Sequence, residues 1–380
     1  MQLRICLIRR DNMEYKYLNM REIIEKYEEE EIQNTLDLMN VDFVEDAEKE
    51  ELVTLLENAI RDYVIEVYYM LSHEDLVLLN RMKENHGEYT FRDDSEPSDG
   101  PPAELESLSS LLDLCLIHPD FDMEDIGQIH AHVSREFIEL FETYLVPERL
   151  SMAAYLDEAA KIIKGVLYYY GAVEIDKLYE IVSRNHGNMD SKFFSRVLSY
   201  KYSLQDTYAS IMFDDKEYIV DIDFEIFYDI SEIRRWNKGQ GYKAYEKPDF
   251  MDAADPSFIE HEKEYEELFG YFQEHFTPDE EFITMYPHIP EEFYFGFYLD
   301  RTIEIARKTR ETDQVIEEFL ADMNFDEEKD IKSGKKMLMD YLNRISRWDN
   351  LGFANDEMPR LKLGRNVVHM KAYVSKKDKE

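Results

Sequence analysis

His130 and His132 are the residues whose type and spacing come closest to a chemical site. In an extended segment, His130-Ala-His132 would place both imidazoles on one face, and imidazole nitrogens are common zinc ligands. His118 is near in the sequence and His369 is far, but no third ligand stands at a spacing diagnostic of a metal site. We interpret residues 118–133 as an irregular acidic loop with surface histidines, and we expect no metal and no other cofactor.

Motifs typical of catalysis are missing from the sequence. It contains no nucleophile elbow, no phosphate-binding glycine loop and no two-histidine metalloprotease helix. Its two cysteines, Cys6 and Cys115, cannot form a disulfide framework or a cysteine-based zinc site. We therefore expect a protein that is not an enzyme.

Charge constrains the partner more than any motif does. The chain has 84 Asp and Glu against 44 Lys and Arg, a formal net charge of −40. Residues 22–57 hold 14 acidic and two basic residues, and residues 252–281 hold 11 acidic residues and one basic residue. Because nucleic acid is polyanionic and is normally bound by a surplus of Lys and Arg, this distribution favours a basic protein partner.

The same composition bears on membranes and on the compartment. No run of about 18 apolar residues exists, and the acidic charge disfavours anionic lipid surfaces, so no membrane contact is expected. The apolar run at the start of the chain is too short for a signal peptide. The presence of only two cysteines fits a reducing environment. These features predict a cytoplasmic protein.

Apolar periodicity predicts a mainly α, multi-domain helical protein with a central winged-helix-like α/β unit made of three helices plus a β-hairpin. In the N-terminal region, Asn40 should end the second helix, Asp46 should cap the third, and Ser72 should form a capping box with Asp75. Further helices are predicted at residues 105–117, 134–145, 155–170, 176–185, 191–200 (capped by Asp190), 224–235, 256–276, 278–285, 291–310, 313–323 and 327–347. The predicted domains are an N-terminal helical domain (1–92), a linker (93–102), a helical connector (103–152), the winged-helix-like domain (153–222), a C-terminal helical domain (223–350) and a basic tail (351–380).

The winged-helix-like unit is predicted from a switch of period, from about 3.6 to 2, after Tyr200. Its third helix carries Lys192, Arg196 and Lys201, which stand where such helices contact phosphate or the major groove. Its wing tip is instead acidic, at Asp214 and Asp215. The core that we predict is Leu156, Ile163, Leu167, Leu178, Ile181, Phe194, Leu198, Ile211 and Ile219.

A dense aromatic segment lies further along the chain. We interpret it as the core of a helix, and any exposed part of it would form a patch suited to a protein partner. Its members are Phe293, Tyr294, Phe295, Phe297 and Tyr298.

Three stretches resemble uncharacterised bacterial proteins that end in a SEC-C motif. Residues 30–60 are similar to the SAP-like domain at the start of transcription terminator Rho, and Leu167-Tyr-Tyr-Tyr-Gly-Ala-Val173 resembles the Tyr-Gly-Val/Ile junction of their winged-helix-like middle. Leu363-Gly-Arg-Asn366 matches the residues that lead into the cysteine-rich zinc site of the SEC-C motif. Residues 367–377 contain no cysteine, so the tail resembles a degenerate or frame-disrupted SEC-C end and we expect no structural zinc.

These observations together favour a non-enzymatic interaction or regulatory protein whose partner is a protein with a basic surface. A winged-helix, DNA-associated transcriptional regulator is one alternative. A mimic of nucleic acid, which would occupy a nucleic-acid-binding protein, is another.

Overall fold

The fold is mainly α-helical, as predicted, and divides into two compact units. The computed structural model describes residues 18–44, 46–92, 108, 110–121, 128–187, 189–204, 207–278, 284, 294–321, 323–325 and 328–358. The first unit comprises Met1–Ile230 together with Ala244–Phe258, and the second comprises Ser231–Lys243 together with Ile259–Glu380.

Helices make up most of the first unit. In chain order, the helices whose bounds lie within the described residues are α1 (Met20–Ile24), α2 (Glu29–Leu38), α3 (Lys49–Asp62), α4 (Val64–Met70), α5 (His73–Glu84), α6 (Arg135–Phe141), α7 (Pro147–Tyr170), α8 (Ile175–Asn185), α9 (Ser191–Tyr200), α10 (Phe224–Phe227), α11 (Ile230–Trp236, which continues into the second unit) and α12 (Lys247–Ala253). In the second unit, the helices with described bounds are α13 (Glu262–His275), α14 (Tyr294–Lys308), α15 (Thr312–Ala321) and α16 (Glu328–Leu342).

The described residues also form three small antiparallel sheets. Their strands are β1 (Glu88–Arg92), β2 (Ile117–Phe121), β3 (Gln128–Val133), β4 (Ala172–Glu174), β5 (Tyr208–Phe213), β6 (Lys216–Asp221), β7 (Phe276–Pro278) and β8 (Met323–Phe325). The strand orders are β1-β3-β2, β4-β6-β5 and β7-β8.

The first sheet corrects the prediction for residues 118–133. The sequence predicted an irregular loop, but these residues belong largely to β2 and β3, which pair with each other while β3 also pairs with β1. The helix predicted over 105–117 is wrong at its end for the same reason, because the chain turns at Cys115, whose φ is 53°, and Ile117 begins β2.

Local capping signals set the ends of the N-terminal helices. Asn40 adopts a left-handed φ of 52° just after α2, as expected for the residue that ends it. The predicted cap at Asp46 is wrong, since α3 begins after Glu48. The capping box at α5 is confirmed, because Ser72 Oγ accepts a hydrogen bond from the Asp75 amide at 3.0 Å and Asp75 accepts one from the Ser72 amide at 2.6 Å.

The winged-helix prediction is confirmed in its order and its core. Helices α7, α8 and α9 pack with a sheet in which β4 pairs with the hairpin strand β6, so the short β-prone step after Gly171 forms a third strand. Gly171 ends α7 with a positive φ of 66°. Eight of the nine predicted core residues are buried. Ile211 is half-buried, because β5 is the edge strand of its sheet.

A close approach of two backbones fixes α12 against α7. A Cβ atom added to Gly165 would lie 2.1 Å from the carbonyl oxygen of Phe250. Only glycine therefore lets these two helices approach so closely. Tyr169 adds to this contact, because its ring stacks on Tyr245 with centroids 3.8 Å apart.

Several helix boundaries differ from those predicted near and within the second unit. The helix predicted over 224–235 is interrupted, because Tyr228 is extended between α10 and α11. The helix predicted over 256–276 begins only after His261, whose φ is 56°, and its last residue, Phe276, begins β7. The helix predicted over 313–323 ends at Ala321, and Met323 begins β8.

Arg347 is a buried anchor of the second unit. Its side chain is 2% exposed and donates hydrogen bonds to Asp349 Oδ1 at 3.0 Å and to Thr312 Oγ1 at 2.8 Å. It also donates to the backbone carbonyls of Ala306 and Thr309. One guanidinium thus joins the end of α14, the start of α15 and the turn that follows α16.

Candidate functional site

The exposed faces of α2 and α3 form a strongly acidic surface, which we call the acidic face. Ile32 and Leu36 of α2 and Leu52 and Leu56 of α3 are each fully buried, so helical periodicity directs the residues between them outwards. The exposed carboxylates on these helices, and on the loop and caps beside them, are Glu28, Glu29, Glu30, Glu31, Asp37, Asp42, Asp46, Glu48, Glu50 and Glu51.

Arginine neutralises only a small part of this charge. Arg21 lies 3.0 Å from Glu25, 3.6 Å from Glu50 and 3.9 Å from Glu57, and Arg61 lies 2.9 Å from Glu57. Partly exposed pairs of this kind contribute about 0–1 kcal/mol each. The acidic face therefore keeps a large excess of solvated negative charge.

An exposed apolar side chain lies within the acidic loop between α2 and α3. Val44 is 71% exposed and stands between the exposed residues Asp42 and Asp46. The loop is fixed at its ends by hydrogen bonds from the Val41 amide to the Leu36 carbonyl and from the Ala47 amide to the Val44 carbonyl. An apolar tip beside carboxylates combines the two chemistries that protein interfaces use, an apolar contact and a polar rim.

Arg196 and Lys201, two of the three basic residues predicted to contact nucleic acid, are engaged inside the first unit. Arg196 Nη1 donates a hydrogen bond to the Tyr69 hydroxyl at 2.7 Å, and its guanidinium lies 4.8 Å from the centre of the Tyr69 ring. Lys201 is 1% exposed, donates to the Leu71 carbonyl at 2.6 Å and forms an ion pair with Asp157. Lys192 alone of the three is exposed.

The surroundings of Lys201 form a partly buried polar cluster. Asp157, which pairs with Lys201, also accepts a hydrogen bond from the His73 amide at 2.6 Å. Burial raises the pKa of the nearby Asp75 carboxyl to about 6, and Ser72 and Lys201 oppose that shift. This cluster joins the α4–α5 junction to α7 and to the end of α9, so α9 is held by charge as well as by apolar contacts.

The wing of the winged helix is acidic at its tip. Asp214 and Asp215 adopt positive φ values of 50° and 58°, as a tight hairpin turn between β5 and β6 requires, and both are exposed. Lys216, the first residue of β6, is bound at 2.7 Å to Glu174 on β4. The wing therefore presents two carboxylates where a phosphate backbone would approach.

The aromatic segment lies mainly in the core of the second unit. Phe295 is 7% exposed, and Tyr298 packs against the same core, with its ring 5.2 Å from that of Phe319. Phe297 is 42% exposed. Phe293, and the side chain of Tyr294, lie outside the described residues. The described part of this segment thus contributes one exposed ring to any partner patch.

The histidines singled out in the sequence lie on a sheet. His130 and His132 both belong to β3, where His130 Nδ1 lies 2.9 Å from Thr90 Oγ1 and His132 Nδ1 lies 3.9 Å from Glu88 Oε1. His369 lies outside the described residues. The signal that the sequence reasoning missed is the alternation of Ile129, Ala131 and Val133 with the polar residues of β3.

Cys115 is not a reactive thiol in this fold. It is buried, and that burial raises its pKa to about 12, although a hydrogen bond with Thr35 opposes the shift. A nucleophilic cysteine needs a thiolate near neutral pH. Cys115 therefore serves packing, and Cys6 lies outside the described residues.

Comparison with protein-family models, with curated proteins and with solved structures found no match to the chain. The resemblance to SEC-C-motif proteins with a Rho-type SAP-like unit therefore stays a prediction. No helix in the described part of the chain combines the length and apolar composition that a membrane crossing needs.

Proposed function

We propose that this protein is a non-enzymatic interaction or regulatory protein that binds a basic protein partner through the acidic face. The observation that carries the proposal is the set of exposed carboxylates on α2 and α3 and beside them, of which Glu50 lies 3.6 Å from Arg21. The apolar tip at Val44 supports it, because an exposed apolar side chain would give short-range contact after charge has steered the partner into place.

The engaged state of α9 supports a protein partner over DNA. A DNA-binding winged helix needs its third helix available to a groove, with cations directed at phosphate. Here Arg196 is bound to Tyr69, Lys201 is buried against Asp157, and the wing tip is acidic. The DNA-regulator alternative would require α9 to leave these contacts.

The proposal is tested with a matched pair of charge variants. In one, Glu29, Glu30, Glu48 and Glu51 are each changed to Gln; in the other, four exposed glutamates of α13 are changed to Gln, at Glu262, Glu266, Glu267 and Glu274. Both variants lose four negative charges, so they differ only in where the charge is removed.

Capture from a lysate of the source organism, read by mass spectrometry at low and at high salt, distinguishes the outcomes. We expect a basic protein that binds the wild type and the α13 variant, is released by salt, and is lost from the α2–α3 variant. Equal loss from both variants would mean that total charge, not the acidic face, attracts it. A partner that nucleic acid displaces would favour the nucleic-acid mimic.

A further inference from the structure

The sheet β1-β3-β2 places three histidines on one of its faces. Glu88, His132 and His118 stand side by side across the three strands, because Glu88 pairs with His132 and His132 pairs with His118. Thr90 pairs with His130 in the next row on the same face, since residues two apart along a strand point the same way. The register is continuous over both pairings, so the three imidazoles share a face.

The opposite face of the sheet fixes this arrangement. Ile117, Ala131 and Val133 alternate with the histidines and are each at most 2% exposed. A slip of one residue would move these apolar side chains into solvent and the histidines into the core, so the register is strongly specified. The histidines are therefore held by the fold on the half-exposed side.

Two of the rings have partners that suit a metal ligand. His130 Nδ1 lies 2.9 Å from the Thr90 hydroxyl, and His132 Nδ1 lies 3.9 Å from a carboxylate oxygen of Glu88. Histidines that bind metal usually have a hydroxyl, carbonyl or carboxylate on one ring nitrogen and the metal on the other. Thr90 and Glu88 stand in the same rows of the sheet as His130 and His132, so their oxygen atoms could orient the two rings in this way in a bound site.

The spacing of the three residues suits one ion. His118 and His132 are directly opposite, which places their Cβ atoms about 4.5–5.5 Å apart, and His130 is two residues from His132, about 6.6 Å along the strand. In the present side-chain conformations of the described residues, no three His, Cys, Asp or Glu already surround a point that could hold a metal. Binding must therefore rotate the half-exposed rings towards one another, while the backbone stays in place.

We propose that His118, His130 and His132 form a surface site for a divalent transition metal that prefers imidazole, with Zn²⁺ as the representative ion. Imidazole nitrogens select Zn²⁺, Ni²⁺ and Cu²⁺ over Mg²⁺ and Ca²⁺, which prefer oxygen. Three protein ligands leave the fourth tetrahedral position to water or to a group from a partner. The net charge of −40 assists, because a negative field raises the local concentration of cations.

The test uses the metal-free full-length chain and Zn²⁺ alone, measured by isothermal titration calorimetry. About 1 mM Mg²⁺ in the buffer occupies the carboxylates, which bind through oxygen. We expect one Zn²⁺ per chain, with affinity at least about tenfold weaker in each of H118A, H130A and H132A. H275A, which removes a half-exposed histidine from α13, should bind as the wild type does.

A stability control and the pH dependence of affinity complete the test. The urea midpoint of each variant should match the wild type without metal, because the replaced side chains are half-exposed. Affinity should fall when the pH is lowered, since protons compete with the metal for imidazole. The proposal is overturned if the wild type binds no Zn²⁺ above the Mg²⁺ background, or if the H118A/H130A/H132A triple variant binds it as tightly as the wild type.

Discussion

The hydroxyl of Tyr69, in α4, accepts a hydrogen bond of 2.7 Å from Arg196, in α9, and the same ring lies under the Arg196 guanidinium at 4.8 Å. Tyr69 thus contacts Arg196 in two ways, through a hydrogen bond to its hydroxyl and through a cation–π contact with its ring. With the ion pair between the buried Lys201 and the half-buried Asp157, this contact holds the third helix of the winged unit against the N-terminal helices. Both contacts can be tested by substitution.

Replacing Lys201 with Met should destabilise the first unit by about 1–3 kcal/mol, because it removes the cation that pairs with the Asp157 carboxylate, which is 22% exposed. Urea unfolding monitored by circular dichroism measures the change. Lys192→Met alters an exposed residue of the same helix and should shift stability by no more than about 0.5 kcal/mol. Equal stability of the two variants would show that the Lys201 pair contributes nothing.

Random-sequence duplex DNA should not bind at about 0.15 M salt, because α9 offers a single exposed cation and the wing tip is acidic. Fluorescence anisotropy of a labelled duplex gives the measurement. Micromolar binding that Lys192→Glu abolishes, and Lys263→Glu on exposed α13 leaves unchanged, would instead support the DNA-regulator alternative.

Gly165→Ala should destabilise the first unit by at least about 1–3 kcal/mol, since the added methyl group would lie 2.1 Å from the Phe250 carbonyl oxygen and would force α12 away from α7. Gly270→Ala is the matched control in a helix, because nothing lies within 4 Å of a Cβ at that position. There the better helix propensity of alanine should stabilise by about 0.5–1 kcal/mol. Thermal unfolding of both variants should therefore move in opposite directions.

Asp75→Asn should change how stability depends on pH. Burial raises the pKa of Asp75 to about 6 from its usual 3.8, so its contribution to stability is full below the unfolded pKa and is lost as pH rises through the folded pKa. Asparagine can still accept the Ser72 hydrogen bond but cannot ionise. As the pH rises from about 5 to about 7, the wild type should therefore lose about 1 kcal/mol more of its free energy of unfolding than the variant loses.

Denaturant titrations across this range test the Asp75 prediction. Glu74→Gln removes an exposed carboxylate from the adjacent position of α5, and it should follow the wild type. If Asp75→Asn also runs parallel to the wild type, Asp75 does not titrate in the folded state as its burial implies.

The winged unit could be predicted from the sequence because its signals are local. Helical spacing, a glycine after α7 and a two-aspartate turn each specify their own segment, and eight of the nine predicted core residues are buried. The engagement of the α9 cations inside the first unit could not be predicted from local signals. Arg196 and Lys201 bind residues 127 and 130 positions away in the chain, and no local pattern reports contacts at that separation.

The histidine-bearing sheet was missed for a different reason. Pro119 in β2 argues against a strand, although proline is tolerated at an edge, which is where β2 lies. The strands are also far apart in sequence, since β1 pairs with β3 across the predicted linker. The histidines share a face only because β2 and β3 pair in this register. The sequence shows that His130 and His132 are two residues apart, but it does not show that His118 lies opposite His132.

The order of the chain imposes a delay on the first unit as it is synthesised. Residues 231–243 belong to the second unit, and the chain then returns to the first unit with Ala244–Phe258, which include α12. Until those residues have left the ribosome, the surface of α7 around Gly165 has no helix to cover it. A nascent chain stopped before Ala244 should therefore expose the surface of α7 that α12 covers in the complete chain. That surface would be accessible to a protease or a chaperone during synthesis, before α12 packs against it.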